Sequence, residues 1–110
     1  MLEIRFSPKA VADLDEIKRY ISSDLCNPQA ATDLLSLIFQ KIQTLATLPQ
    51  IGARVRTDLP SLKIYRFIPC KNYLVFYRQE EKFVSIIRVL YAKRDYLRLL
   101  ESDRKPAENE

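Results

Sequence analysis

Two segments in the first half of the chain open on a capping residue followed by proline, Ser7-Pro8 and Asn27-Pro28. Each continues as an apolar stripe at helical spacing. A Ser or Asn at the N-cap accepts a hydrogen bond from an otherwise unpaired helical N–H. A proline at the next position has its φ preset and no needed donor to lose. The first stripe is Val11, Leu14, Ile17 and Ile21; the second is Ala31, Leu34, Leu35, Ile38, Ile42, Leu45 and Leu48. Pro49 disfavours helix at the residue before it. The second helix is therefore expected to span about 20 residues, roughly 30 Å. Joined by the short break Ser22–Cys26, the two helices make an antiparallel hairpin. Neither stripe can be buried without a third surface.

The remaining segments supply that surface. Leu2–Phe6 alternates apolar and polar residues, the period of a half-buried strand. Leu62–Ile68 reads as a strand closed by Pro69. Tyr73–Arg78 turns through Gln79–Lys82 into a longer strand, Phe83–Tyr91. Short connections make these last three strands an antiparallel meander. Ile51–Pro60 has no period and reads as an exposed basic loop. Tyr96–Leu100 reads as a short apolar helix, and Ser102–Glu110 as a loose polar tail. The expected order is β-α-α-β-β-β-(α), an α+β domain over residues 1–101. Its antiparallel sheet packs one face on the helical hairpin and leaves the other only partly covered.

Composition narrows the chemistry. The chain has 110 residues, enough for one domain and one core. Histidine is absent, which removes the commonest general base near neutral pH and imidazole-based zinc sites. Gly52 is the only glycine, so no glycine-rich phosphate loop exists. No metal and no cofactor are expected. Cys26 and Cys70 are two cysteines without histidine and read as a reduced pair. The chain enters a strand within two residues, so no leader is expected, and no apolar run approaches a membrane span. A cytoplasmic protein is the expectation.

Charge is placed unevenly. Residues 1–50 carry 5 Lys/Arg and 6 Asp/Glu, whereas residues 51–98 carry 11 against 4. A basic second half points to an anionic partner, either nucleic acid, ribosome or an acidic protein segment. The candidate contact residues are Arg54, Arg56, Lys63, Arg66, Lys71, Arg78, Lys93, Arg94, Tyr96 and Arg98. A solvated basic face is the plainer account of the same residues.

Several pairs recur in a telling order: Asp13-Leu14, Tyr20-Ile21, Asn27-Pro28 with Ala30-Ala31, and Leu48-Pro49 with Gly52. Tyr65-Arg66, the run Asn72–Arg78, Ile87–Leu90 and Arg94-Asp95-Tyr96 follow. Together, over residues 2–100, they resemble the RelE/ParE superfamily of bacterial type II toxins. The resemblance implies a toxin neutralised by a cognate antitoxin protein whose C-terminal segment wraps the sheet and hairpin. Within that superfamily, RelE-like proteins cleave messenger RNA on the ribosome, using cations and an acid–base group around the scissile phosphate. ParE-like proteins instead poison DNA gyrase.

The residues side with the ParE-like branch, and hence with an inhibitor rather than an enzyme. RelE-like proteins carry an arginine after the aromatic that opens the middle strand, where this chain has Leu74 after Tyr73. They carry a tyrosine near Leu100, which this chain lacks. Lys63 and Arg66 fall one position out of register, and a one-residue slip sends a side chain to the other face. The alternative nuclease would use Lys63, Arg66, Tyr91 and Arg94. A tyrosine's ordinary pKa near ~10 makes it a poor base without an activating neighbour.

Individual residues have competing readings. Arg94-Asp95 is either a target contact or a local pair capping the last helix. Tyr73, Phe76 and Tyr77 are expected mainly to pack. Asp13, Asp15 and Glu16 are read as a solvated helix face favoured by the helix dipole. The segment Lys93–Leu100 is the expected target-engaging element.

Overall fold

The two apolar stripes meet a five-stranded sheet in the computed structural model of the protein, which describes residues 1–104. In chain order the elements are β1 (Glu3–Phe6), α1 (Pro8–Arg19), a π-helical turn (Tyr20–Asp24) and α2 (Pro28–Thr44). Then come β2 (Ala53–Arg54), a 3-10 turn (Pro60–Leu62), β3 (Arg66–Cys70), β4 (Tyr73–Gln79), β5 (Phe83–Tyr91) and α3 (Tyr96–Arg104). The caps form as the sequence predicts. Ser7 Oγ accepts from the Ala10 N–H at 3.0 Å, and Asn27 Oδ1 accepts from the Ala30 N–H at 3.1 Å. Between the helices, Cys26 takes a left-handed φ of 54° and closes the hairpin.

Helix α2 stops earlier than Leu48. Leu45, Ala46 and Thr47 donate to residues three back, at Ile42, Gln43 and Thr44. These tighter bonds unwind the helix and turn the Ala46 carbonyl toward the chain start, where it accepts from the Leu2 N–H at 2.8 Å. Leu45 is fully buried, while Leu48 lies outside the stripe and is exposed.

The sheet order is β1-β5-β4-β3-β2. The meander β3-β4-β5 is antiparallel, but β1 joins β5 in parallel, with Phe6 opposite Ile86. The sheet is therefore mixed. The long connection between β1 and β5 carries the crossover that parallel pairing requires. The expected loop Ile51–Pro60 contributes a two-residue edge strand, β2, whose Ala53 and Arg54 lie opposite Phe67 and Arg66. The strand expected to begin at Leu62 starts four residues later, at Arg66. Leu62 and Tyr65 are buried at a spacing of three rather than two, which is the mark of a helical turn. Pro69 lies inside β3, past the end of β2, where the strand edge has no neighbour and proline is tolerated.

Alternation along β4 builds two cores. Val75 and Tyr77 face the hairpin and pack with Leu14, Ile17, Ile38 and Ile42. Phe76 faces the other way and packs with Leu62, Tyr65, Leu90 and Leu100. The second face is thus covered by the chain itself, by the 3-10 turn and α3, rather than left open to a partner. The Phe76 ring lies 5.2 Å from that of Tyr96, so Tyr96 serves this core. A β-bulge sits between the two halves of β5. Phe76 lies opposite Arg88 and Tyr77 opposite Ile86, leaving Ile87 unmatched. Val84, Ile86 and Val89 consequently all serve the hairpin-side core.

The expected tail begins as helix. α3 continues through Ser102 and Asp103 to Arg104 because Asp103 is anchored, accepting from Lys9 at 2.6 Å and from Arg88 at 2.9 Å. Residues 105–110, the rest of that tail, lie outside the described residues. Among the described residues no helix is long and apolar enough to cross a membrane.

Candidate functional site

Where β1 ends at Phe6, the outer edge of β5 has lost its partner strand, and the Val89 N–H needs an acceptor. Asp13 of α1 supplies it at 2.9 Å. The same carboxylate takes two hydrogen bonds from Arg88, at 2.7 and 2.9 Å, and Arg88 reaches on to Asp103 of α3. Asp13 is only 7 % exposed, so it does not sit on a solvated helix face as the sequence implied. Its hydrogen bonds to Arg88 hold that guanidinium's pKa above the ordinary arginine value, ahead of the opposing effect of burial. One signal could have revealed this joint: an arginine inside the apolar run Ile86–Tyr91 implies a buried acidic partner. Asp15 and Glu16 remain on the solvent side, with Asp15 in an exposed pair with Arg19.

Beside this joint lies an open groove of roughly 1100 Å³ between the hairpin, the β3–β4 turn and the end of β5. Its floor is apolar and aromatic, formed by Ile17, Ile21, Leu34, Leu37, Tyr73 and Tyr91. Tyr73 and Tyr91 are cross-strand partners and meet edge to face at 5.8 Å. Burial, with smaller contributions from Tyr20 and Tyr91, raises the Tyr73 pKa. Leu25, at 55 % exposed, stands at the mouth. Glu16 and Asp33 line the helical side, and Lys71 and Arg94 the sheet side. Lys71 occupies the two-residue turn between Cys70 and Tyr73 with a left-handed φ of 56°.

Of the cations expected to form one surface, the groove gathers only Lys71 and Arg94. Arg66 sits at the start of β3 beside the edge strand β2, at the other end of β3 from Lys71, donating to the carbonyls of Gln50 at 3.3 Å and Gly52 at 2.8 Å. Arg54 donates to the Lys63 carbonyl at 3.3 Å in the same region, and Arg56 is exposed on the adjoining loop. Arg78 is ion-paired with Glu80 at the β4–β5 turn. Lys93 is exposed after β5, and Arg98 is exposed on α3. The nuclease set is divided in the same way. Tyr91 and Arg94 share the groove, while Lys63 and Arg66 belong to the β2–β3 edge. Asp95 caps α3 by accepting from the Arg98 N–H at 3.4 Å, and no ion pair joins it to Arg94 among the described residues. Phe76 and Tyr77 are fully buried, as packing residues should be.

Residues 4–96 match the profile of the ParE toxin of type II toxin-antitoxin systems, parDE. The chain belongs to the ParE toxin family. Solved structures agree on the fold of this ParE-family chain. A chain from the chromosomal ParDE toxin-antitoxin system of P. aeruginosa superposes with a TM-score of 0.70 at 22% identity. The match covers 84% of this chain and 98% of that one. A chain of the RelBE2 toxin-antitoxin complex of Mycobacterium tuberculosis gives 0.56 at 20% identity, covering 82% and 96%. One from the E. coli DinJ-YafQ complex gives 0.55 at 10% identity, covering 82% and 91%. No curated protein matches the chain by sequence. In this chain the groove lies between the hairpin, the β3–β4 turn and the end of β5, away from Arg54 and Arg66.

Proposed function

We propose that this toxin arrests growth by occupying DNA gyrase, and that a cognate antitoxin neutralises it by filling the groove. The observation carrying the inhibitor reading is the separation of Lys63 and Arg66 from Tyr91 and Arg94. Phosphodiester cleavage needs cations and an acid–base group within reach of one phosphate. Here Arg66 opens β3 opposite Tyr77, whereas Tyr91 closes β5 opposite Tyr73, four residues away along the intervening β4. The neutralisation reading draws on the groove itself, an apolar floor with Leu25 exposed at its mouth, beside a fold already closed on both sheet faces. Exposed apolar surface of this kind serves binding. Arg94 lines the groove and also opens the segment Lys93–Leu100. An antitoxin seated there would cover part of the target-engaging element, so neutralisation follows from occlusion.

The decisive experiment adds purified toxin to gyrase in a supercoiling assay. Stalled cleavage complexes and lost supercoiling are expected; undisturbed supercoiling at saturating toxin removes the gyrase reading. The juxtaposition of Tyr91 and Arg94 favours a second reading, ribosome-dependent cleavage of messenger RNA. Mapping transcript ends after brief induction separates the two, since only the nuclease leaves codon-positioned cuts. Unaltered growth on induction of folded protein would instead indicate a homologue that only binds antitoxin.

A further inference from the structure

We propose that the β2–β3 edge binds the phosphate backbone of duplex DNA, gripping it with Arg54 and Arg66 and extending the contact through Arg56 and Lys63. On the gyrase reading, on which the role of this site rests, the toxin meets its target with DNA already bound.

Arg54 of β2 and Arg66 of β3 are cross-strand partners, so their side chains leave the same face of the sheet. The Cβ atoms of such partners stand roughly 5 Å apart, and like charges placed there destabilise a sheet. No carboxylate offsets this pair: neither arginine is in an ion pair among the described residues. Backbone carbonyls hold them instead. Arg54 donates through Nη1 to the Lys63 carbonyl at 3.3 Å. Arg66 donates through Nη1 to the carbonyls of Gln50 at 3.3 Å and Gly52 at 2.8 Å. In both, the Nε and Nη2 donors have no acceptor among the described residues. That side of a guanidinium is a two-donor fork matched to a pair of phosphate oxygens. The carbonyl tethers aim both forks before any ligand arrives, and they leave the positive charge intact.

The surroundings add cations. Arg56 is exposed two residues beyond Arg54, and Lys63 is exposed where its carbonyl receives Arg54. Between Asp33 and Glu80 the chain has seven Lys/Arg and a single acid, Asp58. The backbone here gives a peptide strand little to pair with. β2 is two residues long, and Pro69 has no N–H to offer from β3 past its end. Recognition at this edge therefore falls to side-chain charge. Duplex DNA carries a phosphate at every step of both strands and condensed counterions to release, which an acidic peptide segment does not match in charge density. DNA is also the polyanion that the proposed target handles.

The test titrates the full chain into a fluorescent DNA duplex of about 20 base pairs and follows anisotropy at several salt concentrations. Contacts from the four cations predict a slope of about −3.6 in log K against log salt. R54Q/R56Q should bind about tenfold more weakly and flatten that slope by about 2. Arg54→Lys keeps the charge but loses the fork, so affinity should fall about threefold with the slope unchanged. K18Q/K41Q loses as much charge as R54Q/R56Q, from exposed positions on α1 and α2, and should stay within about twofold of the natural chain. Unlabelled duplex DNA should displace the probe at about tenfold lower charge concentration than polyglutamate. Melting curves check that each variant is folded; all the substituted side chains are exposed. Absence of duplex binding, equal losses in R54Q/R56Q and K18Q/K41Q, or full affinity in Arg54→Lys overturns the proposal. So does displacement by polyglutamate as readily as by DNA, or tighter binding of an RNA duplex of the same sequence. DNA binding at this edge with undisturbed supercoiling sinks the gyrase reading alone. Lost supercoiling without DNA binding sinks this proposal alone.

Discussion

At the scale of single residues, Lys71 and Gly52 hold strained or crowded backbone, and each makes a prediction. Lys71 pays a left-handed φ of 56°, which for a residue with a Cβ costs about 1–2 kcal/mol. Lys71→Gly relieves that cost while adding unfolded-state entropy. The net expectation is a gain of about 0.5–1 kcal/mol in chemical denaturation; an unchanged midpoint would refute it. Gly52 is constrained by space rather than by φ. A Cβ there would lie 2.5 Å from the Tyr77 hydroxyl and 2.8 Å from the Phe67 carbonyl oxygen. The crowding arises because the Tyr77 hydroxyl accepts from the Gly52 N–H at 2.9 Å and donates to the Pro49 carbonyl at 2.8 Å. Tyr77→Phe leaves the buried Gly52 N–H and the part-buried Pro49 carbonyl unmatched and should cost about 1–3 kcal/mol at neutral pH. Burial raises the Tyr77 pKa against smaller opposing effects of the Gly52 hydrogen bond and Arg66. The stability tied to the neutral phenol is therefore complete below the ordinary tyrosine pKa of about 10 and is lost as pH rises above it. Melts from pH 8 upward should decline less steeply in Tyr77→Phe. Tyr73 and Cys70, also raised by burial, leave a residual slope. Nothing in the sequence linked Gly52 to Tyr77, which read mainly as packing, since a bond spanning 25 positions leaves no local trace.

At the scale of elements, what was legible followed local rules, and what was hidden depended on distant partners. Caps, stripes and the β4–β5 hairpin were readable because each is written within a few residues. The parallel docking of β1, the two-residue β2 and the bulge at Ile87 depend on pairings some 9 to 80 positions apart and had no such signature. The same distinction hid the candidate site. The groove needs α1, α2, the β3–β4 turn and the end of β5 together, whereas the sequence offered a row of cations that the fold then dispersed. Asp13 ties several of these elements. It joins α1 to the open edge of β5 and, through Arg88, to α3. Removing one member of a buried ion pair leaves the other uncompensated. Asp13→Asn should therefore destabilise the fold by about 3 kcal/mol, with Asp103 still holding one side of Arg88. Hydrogen exchange should show the greatest loss of protection at Val89 and along α3. A loss confined to α1 would mean that the joint does not couple these elements.

At the scale of the whole molecule, the arrangement favours inhibition by occupation. Both sheet faces are closed, one by the hairpin and one by the 3-10 turn with α3. What remains for protein partners lies around the end where β5 passes into Lys93–Leu100 and meets the groove. Arg94 belongs to both regions, so it couples the two proposed activities. Its side chain is exposed and supports no ion pair among the described residues. Arg94→Glu should accordingly keep stability within about 0.5 kcal/mol, as surface changes away from caps and cores do. The same change places a like charge on the groove's two sides and reverses charge in the proposed target-engaging segment. Growth arrest on induction and affinity for antitoxin should fall together. Melting temperature, growth curves and titration of the purified pair read the three quantities separately. Loss of toxicity with antitoxin affinity intact would mean that the antitoxin acts without covering Arg94, and occlusion would have to give way to an allosteric account. Equal loss of folding and toxicity would return Arg94 to a purely structural role.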